Sequence, residues 1–192
     1  MKKVVGWNMN KREQANQESK SKIVHALFKL LEKKRFSEIT VTDIIKEAGV
    51  ARATYYRNFE AKEDIIDEYL HQFREATADF PVAKELLPTA FSKNNLVVRL
   101  EYFASQKDYF LLLCKNGFFD FLLEDTNRFA EIILGNMPSN SIERYNIYLL
   151  SGAILNLLLQ WLKNDCKESP EEIAGLVAKR MPLILELFQD EK

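Results

Sequence analysis

The sequence predicts an all-α fold, with a three-helix helix-turn-helix domain followed by a larger helical domain. Apolar residues recur at helical rather than alternating spacing along most of the 192-residue chain. Capping signals and glycines interrupt these apolar rows at helix-length intervals. Residues 1–62 carry 14 Lys and Arg against 7 Asp and Glu, and the remainder carries 13 against 21. The net charge is therefore +7 for residues 1–62 and −8 for residues 63–192. Such an uneven distribution is expected when one end of a protein binds phosphate.

Residues 1–18 are polar and basic, and they predict a mobile arm. This arm either adds phosphate contacts or is a frayed terminus, and both interpretations stay open. From Ser19 to Arg35 the apolar positions keep helical period, which predicts a first helix that braces the two helices after it. These apolar positions are Ile23, Val24, Leu27, Phe28, Leu30 and Leu31.

The most informative stretch is TVTDIIKEAGVARATYYRNFEAKEDII, residues 40–66. Thr40 and Asp43 have the spacing of a capping box, which would start a first short helix. Gly49 ends that helix, because glycine adopts a positive φ without a Cβ penalty. A second short helix is predicted over residues 51–59. Two short helices joined by a tight turn form a helix-turn-helix.

The second of these helices has an apolar face and a polar face. Tyr55 and Phe59 recur at near-helical spacing and are predicted to pack inward. Arg52 and Tyr56 are four residues apart and share the opposite face, with the small Ala53 between them. A helix of this kind suits the major groove of DNA, where a guanidinium can read a base edge. Arg52 is therefore predicted to contact a base.

The same stretch, together with the amphipathic segment before it, resembles the DNA-binding domain of the TetR family of bacterial transcriptional regulators. The matching positions are Thr40, Val41, Ile44, Ala48, Gly49, Val50, Thr54, Tyr56, Phe59, Lys62 and Glu63. The resemblance is dense over about residues 20–70 and looser afterwards. Three positions depart from the residue types usual in the family: Ala51, Asn58 and Ala61.

The resemblance implies a DNA-binding regulator with a ligand-sensing, dimerising helical domain, and a repressor released by a small-molecule effector is the predicted form. It implies phosphate contacts from Thr40, Thr54, Tyr56, Asn58 and Lys62, with Arg57 added by its position. Lys62 is also predicted to open the next helix, whose first N–H groups would help to hold phosphate. Thr42 and Ala53 are predicted to face bases beside Arg52. Phosphate contacts position a protein on DNA without reading its sequence.

Residues 19–62 are thus assigned to the DNA-binding domain, and residues 63–192 to a domain for effector binding and dimerisation. The latter is rich in phenylalanine, and two interpretations stay open. The side chains either form a bulky aromatic core or line a cavity for a small apolar or aromatic effector. The candidate pocket residues are Phe73, Phe103, Phe110, Cys114, Phe118 and Phe121. The C-terminal half is also loosely similar to regulators of dihydroxyacetone kinase operons.

A helix predicted over residues 141–163 is apolar almost all round, so it must be buried on every side. A membrane span needs about 20 clean apolar residues, and the amides of Asn156 and Gln160 argue against one. One face is predicted to meet the protein's own core and another face a second copy. The last helix, started by Ser169 and Glu172, would join this homodimer interface. The candidate interface residues are Tyr148, Ser151, Gly152, Leu155, Leu159, Leu176 and Ile184.

The sequence contains no pattern typical of a catalytic or metal site. Cys114, Cys166, His25 and His71 are widely separated and lack metal-ligand spacing, so neither a metal nor a cofactor is predicted. There is no nucleophile-and-base order and no phosphate loop, so an enzyme is not predicted. Free thiols and the lack of an apolar leader predict a cytoplasmic protein.

One alternative function stays open. A helical adaptor of the same fold would bind a protein partner instead of DNA. The basic first 62 residues and the Arg52 and Tyr56 face favour DNA.

Overall fold

The computed structural model describes residues 10–76, 92–134, 142 and 144–185. Within these ranges the regular elements are helices, as the sequence predicts. The chain divides between Phe73 and Arg74 into two compact units. The predicted domain boundary after residue 62 lies earlier in the chain, and the assignment of effector binding and dimerisation to residues 63–192 stays a prediction.

The first unit contains α1 (Lys11–Leu31), α2 (Val41–Ala48), α3 (Arg52–Asn58) and most of α4 (Asp64–Ala76). A short 3-10 turn, Phe36–Glu38, lies between α1 and α2. α1 packs against both α2 and α3. This arrangement confirms the predicted bracing role of the first helix.

One apolar face from each helix builds the core of the first unit. The side chains of Ile23, Ile44 and Tyr55, from α1, α2 and α3, are completely buried. Phe28 of α1 and Tyr69 of α4 make an edge-on contact with ring centroids 4.8 Å apart. Burial of one such side chain contributes about 1.5–3 kcal/mol, so these contacts hold the two short helices firmly against α1.

The predicted mobile arm over residues 1–18 is wrong from residue 10 onward, because a capping box starts α1 there. The Asn10 side chain accepts hydrogen bonds from the backbone N–H groups of Arg12 and Glu13, at 3.0 and 2.9 Å. The Glu13 carboxylate accepts one from the Asn10 N–H at 2.9 Å. The pattern is present in the sequence, but no apolar row accompanies it, and only packing against the rest of the unit reveals the helix. Residues 1–9 lie outside the described residues.

The second unit contains α5 (Lys93–Ser105), α6 (Lys107–Lys115), α7 (Phe119–Leu134), α8 (Arg144–Lys163) and α9 (Pro170–Leu185). α5 packs against α9, and α8 packs against both α6 and α7. Gly117, with φ of 87°, makes the turn between α6 and α7. Ser169 and Glu172 exchange hydrogen bonds of 2.8 and 3.2 Å at the start of α9, which confirms the predicted cap.

By length and composition alone, α8 is long and apolar enough to cross a membrane. Of the residues in its most apolar 18-residue stretch, 39% are buried inside the protein. A buried core helix of a soluble protein has the same properties. Its inner stripe lies against α6 and α7 and consists of Ile147, Leu150, Ser151, Leu155, Leu159 and Leu162.

Three of the predicted interface residues belong to this inner stripe. Ser151, Leu155 and Leu159 are only 1, 4 and 1% exposed, so they are core residues of the protomer and the prediction for them is wrong. The Ser151 hydroxyl also donates a hydrogen bond to the side chain of Asn127 in α7. A helix that is apolar on all sides carries no periodicity to show which face is internal.

The other predicted interface residues have different positions. Tyr148 and Gly152 are half-buried, and Leu176 on α9 is exposed. The Tyr148 phenol donates to Glu131 of α7 at 3.1 Å. The side chain of Ile184 lies outside the described residues.

Candidate nucleic-acid interface

The interface is built on the cap that starts α2. Asp43 accepts hydrogen bonds from the backbone N–H and the hydroxyl of Thr40, at 3.0 and 2.9 Å, and its own N–H donates to the Thr40 hydroxyl oxygen at 3.1 Å. The backbone hydrogen bond from Thr40 is the main cause that lowers the pKa of Asp43, and the hydroxyl adds to it. The cap fixes where α2 begins and holds Thr40, a predicted phosphate contact, beside the exposed Thr42.

The turn between α2 and α3 depends on Gly49. Its φ of 64° lies in the left-handed region, and its N–H donates to the carbonyl of Ile45. α3 then begins after Ala51, which supplies no side-chain cap. The family-typical Ser would cap at this position, so the departure at Ala51 leaves the start of α3 held by core packing instead.

The solvent-facing side of α3 carries Arg52, Ala53, Tyr56 and Arg57. The Arg52 guanidinium donates a hydrogen bond to the Tyr56 phenol at 3.2 Å and lies 5.2 Å from the centroid of its ring. The tyrosine is 48% exposed. The prediction that these two side chains share the outer face is confirmed, and they present a cation and a phenol together.

The inner side of α3 is anchored by Tyr55, which is completely buried and lies 5.8 Å from the ring of Phe59. Burial is the main cause that raises the pKa of Tyr55 to about 12, so the phenol stays neutral. Thr54 and Asn58 are half-buried at the edge of the helix, and the Asn58 amide donates to the Thr54 carbonyl at 2.8 Å. The inward packing of α3 is therefore as predicted.

Lys62 is where the structure departs from the predicted phosphate contacts. Its ammonium donates to the carbonyl oxygens of Phe36 and Ile39, at 2.7 and 2.9 Å, and lies 4.3 Å from the centroid of the Phe36 ring. The group is thus directed to the turn before α2. We assign it a structural role, because two carbonyl acceptors and an aromatic face satisfy the ammonium inside the unit.

The start of α4 departs from the prediction as well. The helix begins at Asp64 rather than at Lys62. The Asp64 carboxylate accepts hydrogen bonds from the N–H groups of Glu60 and Ala61, both at 2.8 Å. These two hydrogen bonds fix the loop that enters α4. The anion site predicted at this helix start stays a prediction.

Ion pairs neutralise several basic residues of the first unit. The pairs are Lys20 with Glu68, Lys29 with Glu47, Lys34 with Asp43 and Arg35 with Glu38. Arg52 and Arg57 form no ion pair with the described residues. Their charges are therefore available to DNA, where they would interact with bases or phosphates.

A cleft that the sequence did not predict lies between the start of α1 and the end of α3. Its volume is about 580 Å³. Its lining residues are Asn10, Arg12, Glu13, Ala15, Asn16, Ser19, Arg57 and Asn58. The sequence signal for this cleft is the capping pattern of Asn10 and Glu13. Because this pattern starts α1 at Lys11, residues predicted to belong to a mobile arm form one wall of the cleft.

The predicted pocket residues are distributed between the two units. Phe103 of α5 and Phe110 of α6 are buried against each other, with ring centroids 4.5 Å apart. Phe118 and Phe121 are half-buried with centroids 6.3 Å apart, and Phe73 belongs to the first unit. The first pair is aromatic core, which supports that interpretation for Phe103 and Phe110.

The two cysteines are free and half-buried. Burial raises the pKa of both the Cys114 and the Cys166 thiols, which keeps them protonated and weakly nucleophilic. Among the described residues, no group of three or more His, Cys, Asp or Glu side chains is placed to hold a metal ion.

These features define a helix-turn-helix DNA-binding protein. An exposed arginine and tyrosine lie on the second of two short helices, which a left-handed glycine turn joins and a shared apolar core supports. α4 crosses the boundary between the two units along the chain.

Comparison with known families agrees with this class. A family model described as bacterial regulatory proteins of the tetR family matches residues 23–69. A second, described as a transcriptional regulator C-terminal region, matches residues 93–181. The two together cover most of the chain, which belongs to the TetR family of transcriptional regulators. The proteins of this family bind DNA, dimerise and are not enzymes.

Two curated relatives are transcriptional regulators. The chain is 25% identical over 167 residues to the uncharacterized HTH-type transcriptional regulator YxbF of Bacillus subtilis, covering 83% of this chain and 43% of the relative. It is 38% identical over 61 residues to the HTH-type transcriptional regulator EthR of Mycolicibacterium smegmatis, covering 31% and 28%. The chain therefore spans less than half the length of both relatives.

Two solved structures share the fold. One is the dihydroxyacetone kinase operon activator DhaS, with a TM-score of 0.57, 16% identity, and coverage of 89% of this chain and 96% of that chain. The other is a TetR transcriptional regulator from Streptococcus agalactiae 2603V, with a TM-score of 0.58, 23% identity, and coverage of 88% and 96%. At these identities the likeness supports the all-helical fold alone.

Proposed function

We propose that the protein is a cytoplasmic, homodimeric repressor that binds a near-palindromic DNA operator and is released by a small-molecule effector. The observation that carries the proposal is the exposed Arg52 and Tyr56 pair on a helix anchored by a buried Tyr55. Both side chains are exposed, and Arg52 forms no ion pair with the described residues. The face that they form is suited to the floor and walls of a major groove.

On DNA, each protomer would place α3 in one major groove, with the two grooves about one helical turn, ~34 Å, apart. Arg52 would read a base edge, and Thr42 and Ala53 would lie beside it. The proposed phosphate contacts are Thr40, Thr54, Tyr56, Arg57 and Asn58. Lys62 is left out of this set because its ammonium is held by the carbonyls of the 3-10 turn.

The homodimer is supported by the outer face of α8. Tyr145 and Leu149 are 63 and 60% exposed on a helix whose opposite stripe is core. Large exposed apolar side chains on one face indicate contact with another protein surface. The family also dimerises, so a second copy of this chain is the proposed occupant. The exposed Leu176 of α9 is proposed to extend the contact.

The proposed effector would bind in the second unit, among the half-buried Phe118, Phe121 and Cys114. α4 is one continuous helix that begins in the first unit and ends in the second. Near its end, the Arg74 guanidinium forms an ion pair with Asp125 of α7. A ligand that moves α7 would act on α4 through this pair. A compound that leaves operator affinity unchanged at saturation would be excluded as the effector.

The test is binding of the purified protein to the DNA that flanks its gene, titrated against random DNA at two salt concentrations. The proposal expects a specific complex of two protomers with steep salt dependence. In a reporter strain, removal of the gene should raise transcription from the bound DNA. Lower transcription would instead identify an activator. Absence of DNA binding at low salt, together with salt-independent capture of one defined protein, would favour the helical adaptor.

A further inference from the structure

We infer that the cleft between the start of α1 and the end of α3 is an additional phosphate-binding site, which holds the DNA backbone beside the groove that α3 enters. The inference rests on the proposed DNA-binding function and extends it to a surface formed partly by α1. The ligand chemistry is a phosphodiester, and the intended source is the operator itself.

The first wall of the cleft is ordered because the Asn10 and Glu13 capping box starts α1 early. The match to the family model begins at residue 23, so the first turns of α1 precede the matched residues. Arg12, Asn16 and Ser19 follow one another at helical spacings of four and three, which places them on one face. That face lines the cleft.

The second wall belongs to the end of the proposed recognition helix. Arg57 and Asn58 line the cleft from α3. Arg57 directly follows Tyr56 and is itself exposed, so the cleft adjoins the face proposed to enter the major groove. Backbone phosphates border a groove on both sides, and a helix lying in it therefore brings its flanking residues next to them.

The charges in the cleft favour an anion. Neither Arg12 nor Arg57 forms an ion pair with the described residues, and both guanidinium groups offer several donors in a planar fork that matches phosphate oxygens. The acid in the lining is Glu13, whose carboxylate already accepts the Asn10 N–H at 2.9 Å. Two cations against one hydrogen-bonded carboxylate leave a net positive cleft.

The size and position of the cleft favour a polymer backbone over a free ion. Its volume of about 580 Å³ is far larger than one phosphate group, and its polar groups come from two helices on opposite walls. A strand of DNA could pass between these walls with one phosphodiester held by both arginines.

The test compares Arg12→Ala with Lys22→Ala in operator and random DNA binding over a salt series. Both changes remove one exposed positive charge from α1, but Lys22 does not line the cleft. For Arg12→Ala we expect the slope of log K against log salt to become shallower by ~0.9 per protomer, on both DNAs. Over a roughly fourfold rise in salt, the wild type should lose roughly three- to fourfold more affinity per protomer than this variant. Lys22→Ala should keep the wild-type slope.

A double variant tests whether both arginines hold one phosphate. If they do, Arg12→Ala and Arg57→Ala combined should lower affinity by less than the product of their separate effects. An operator duplex with single phosphates replaced by neutral methylphosphonates should contain a position that weakens the wild type and leaves Arg12→Ala unaffected. Circular dichroism would check that each variant keeps its helices.

An unchanged slope for Arg12→Ala, with specific operator binding intact, would overturn the inference and leave the proposed function standing. An equal loss of DNA affinity in Arg12→Ala and Lys22→Ala would also overturn the inference, because the loss would then follow from the removal of any positive charge on α1. If Arg12 affected only the stabilisation of the protein by inorganic phosphate, the cleft would be a free-anion site and the DNA assignment would fail. Failure of the wild type to bind any operator would instead count against the proposed function.

Discussion

Arg52 is held in place before any DNA is bound. Its hydrogen bond to the Tyr56 phenol, at 3.2 Å, and its position over the ring restrict the rotamers of a side chain that is otherwise flexible. A donor fork that is ordered in advance loses less conformational entropy on binding a guanine. The pair therefore does more than supply charge, and its contribution should be visible as sequence specificity.

Arg52→Ala is expected to lower affinity for the operator much more than affinity for random DNA. A bidentate contact to a base edge is worth about 1–3 kcal/mol of discrimination, so the ratio of the two affinities should fall accordingly. Fluorescence anisotropy on both duplexes measures the ratio. Arg57→Ala is the matched control, because an arginine on the same helix that contacts phosphate should weaken both complexes alike. An equal loss on both DNAs for Arg52→Ala would refute its base-reading role.

Lys62 shows that residue type and motif position do not determine a side chain's partner. The family resemblance predicts a phosphate contact, but the ammonium is satisfied by two backbone carbonyls and the Phe36 ring. These acceptors come from a 3-10 turn more than twenty residues earlier in the chain. Contacts at such separation follow from packing, and no local pattern in the sequence encodes them.

Lys62→Met is accordingly expected to lower the free energy of unfolding by about 1–3 kcal/mol, since the charged donor to both carbonyls is lost. Urea unfolding would measure the change. The control is Lys46→Met, an exposed lysine of α2, which should unfold as the wild type does. Normal unfolding combined with a shallower salt slope in DNA binding would restore Lys62 as a phosphate contact.

At the scale of helices, α2 and α3 were predictable because their signals are local. Thr40 and Asp43 cap one helix, Gly49 ends it, and Tyr55 faces inward, all as the sequence indicates. Each signal acts within four residues, where the helical geometry alone sets the distances. These elements also carry the proposed DNA contacts, so most of the candidate site follows from the sequence.

α1 and α8 were predicted less well, for two different reasons. The start of α1 depends on a capping box without an apolar row, and the cleft appears only once that turn lies opposite Arg57. α8 is apolar on all sides, so its inner stripe, with Ser151 bonded to Asn127, could not be distinguished from its outer face. The cleft beside α1 and the inner stripe of α8 both depend on which other helices pack against these two helices, and the local sequence does not specify that.

The cap of α2 should give the stability of the protein a measurable acid dependence. The pKa of Asp43 is lowered in the folded state, mainly by hydrogen bonds from Thr40, so the folded protein favours the ionised carboxylate. Its stabilising effect is complete above the unfolded pKa, about 3.9, and disappears as pH falls through the lower folded value.

Asp43→Asn should therefore have a lower free energy of unfolding than the wild type at neutral pH. The difference should shrink below about pH 4 and disappear in stronger acid. Chemical denaturation across this range would measure it. Asparagine keeps an acceptor oxygen, so the comparison isolates the charge. A difference that stays constant into strong acid would show that Asp43 acts by shape rather than by ionisation.

For the whole molecule, the correction in α8 changes which residues can join two copies. With Leu155 and Leu159 inside the protomer, the exposed Tyr145 and Leu149 are the apolar surface that this helix offers. The proposed dimer also matters for DNA affinity, because one half-site offers fewer contacts than two. Linking two α3 helices makes the second half-site an intramolecular binding event and multiplies the affinity.

Leu149→Lys should therefore convert the proposed dimer to a monomer and lower operator affinity by at least tenfold, within the range expected when avidity is lost. Leu149 is 60% exposed, so the change should leave the protomer folded, as circular dichroism would check. Val98→Lys is the matched control, since Val98 is 51% exposed on α5, and this variant should remain dimeric. Sedimentation equilibrium would determine both masses. If Val98→Lys were a monomer and Leu149→Lys remained a dimer, the interface would have to lie on α5 and not on α8.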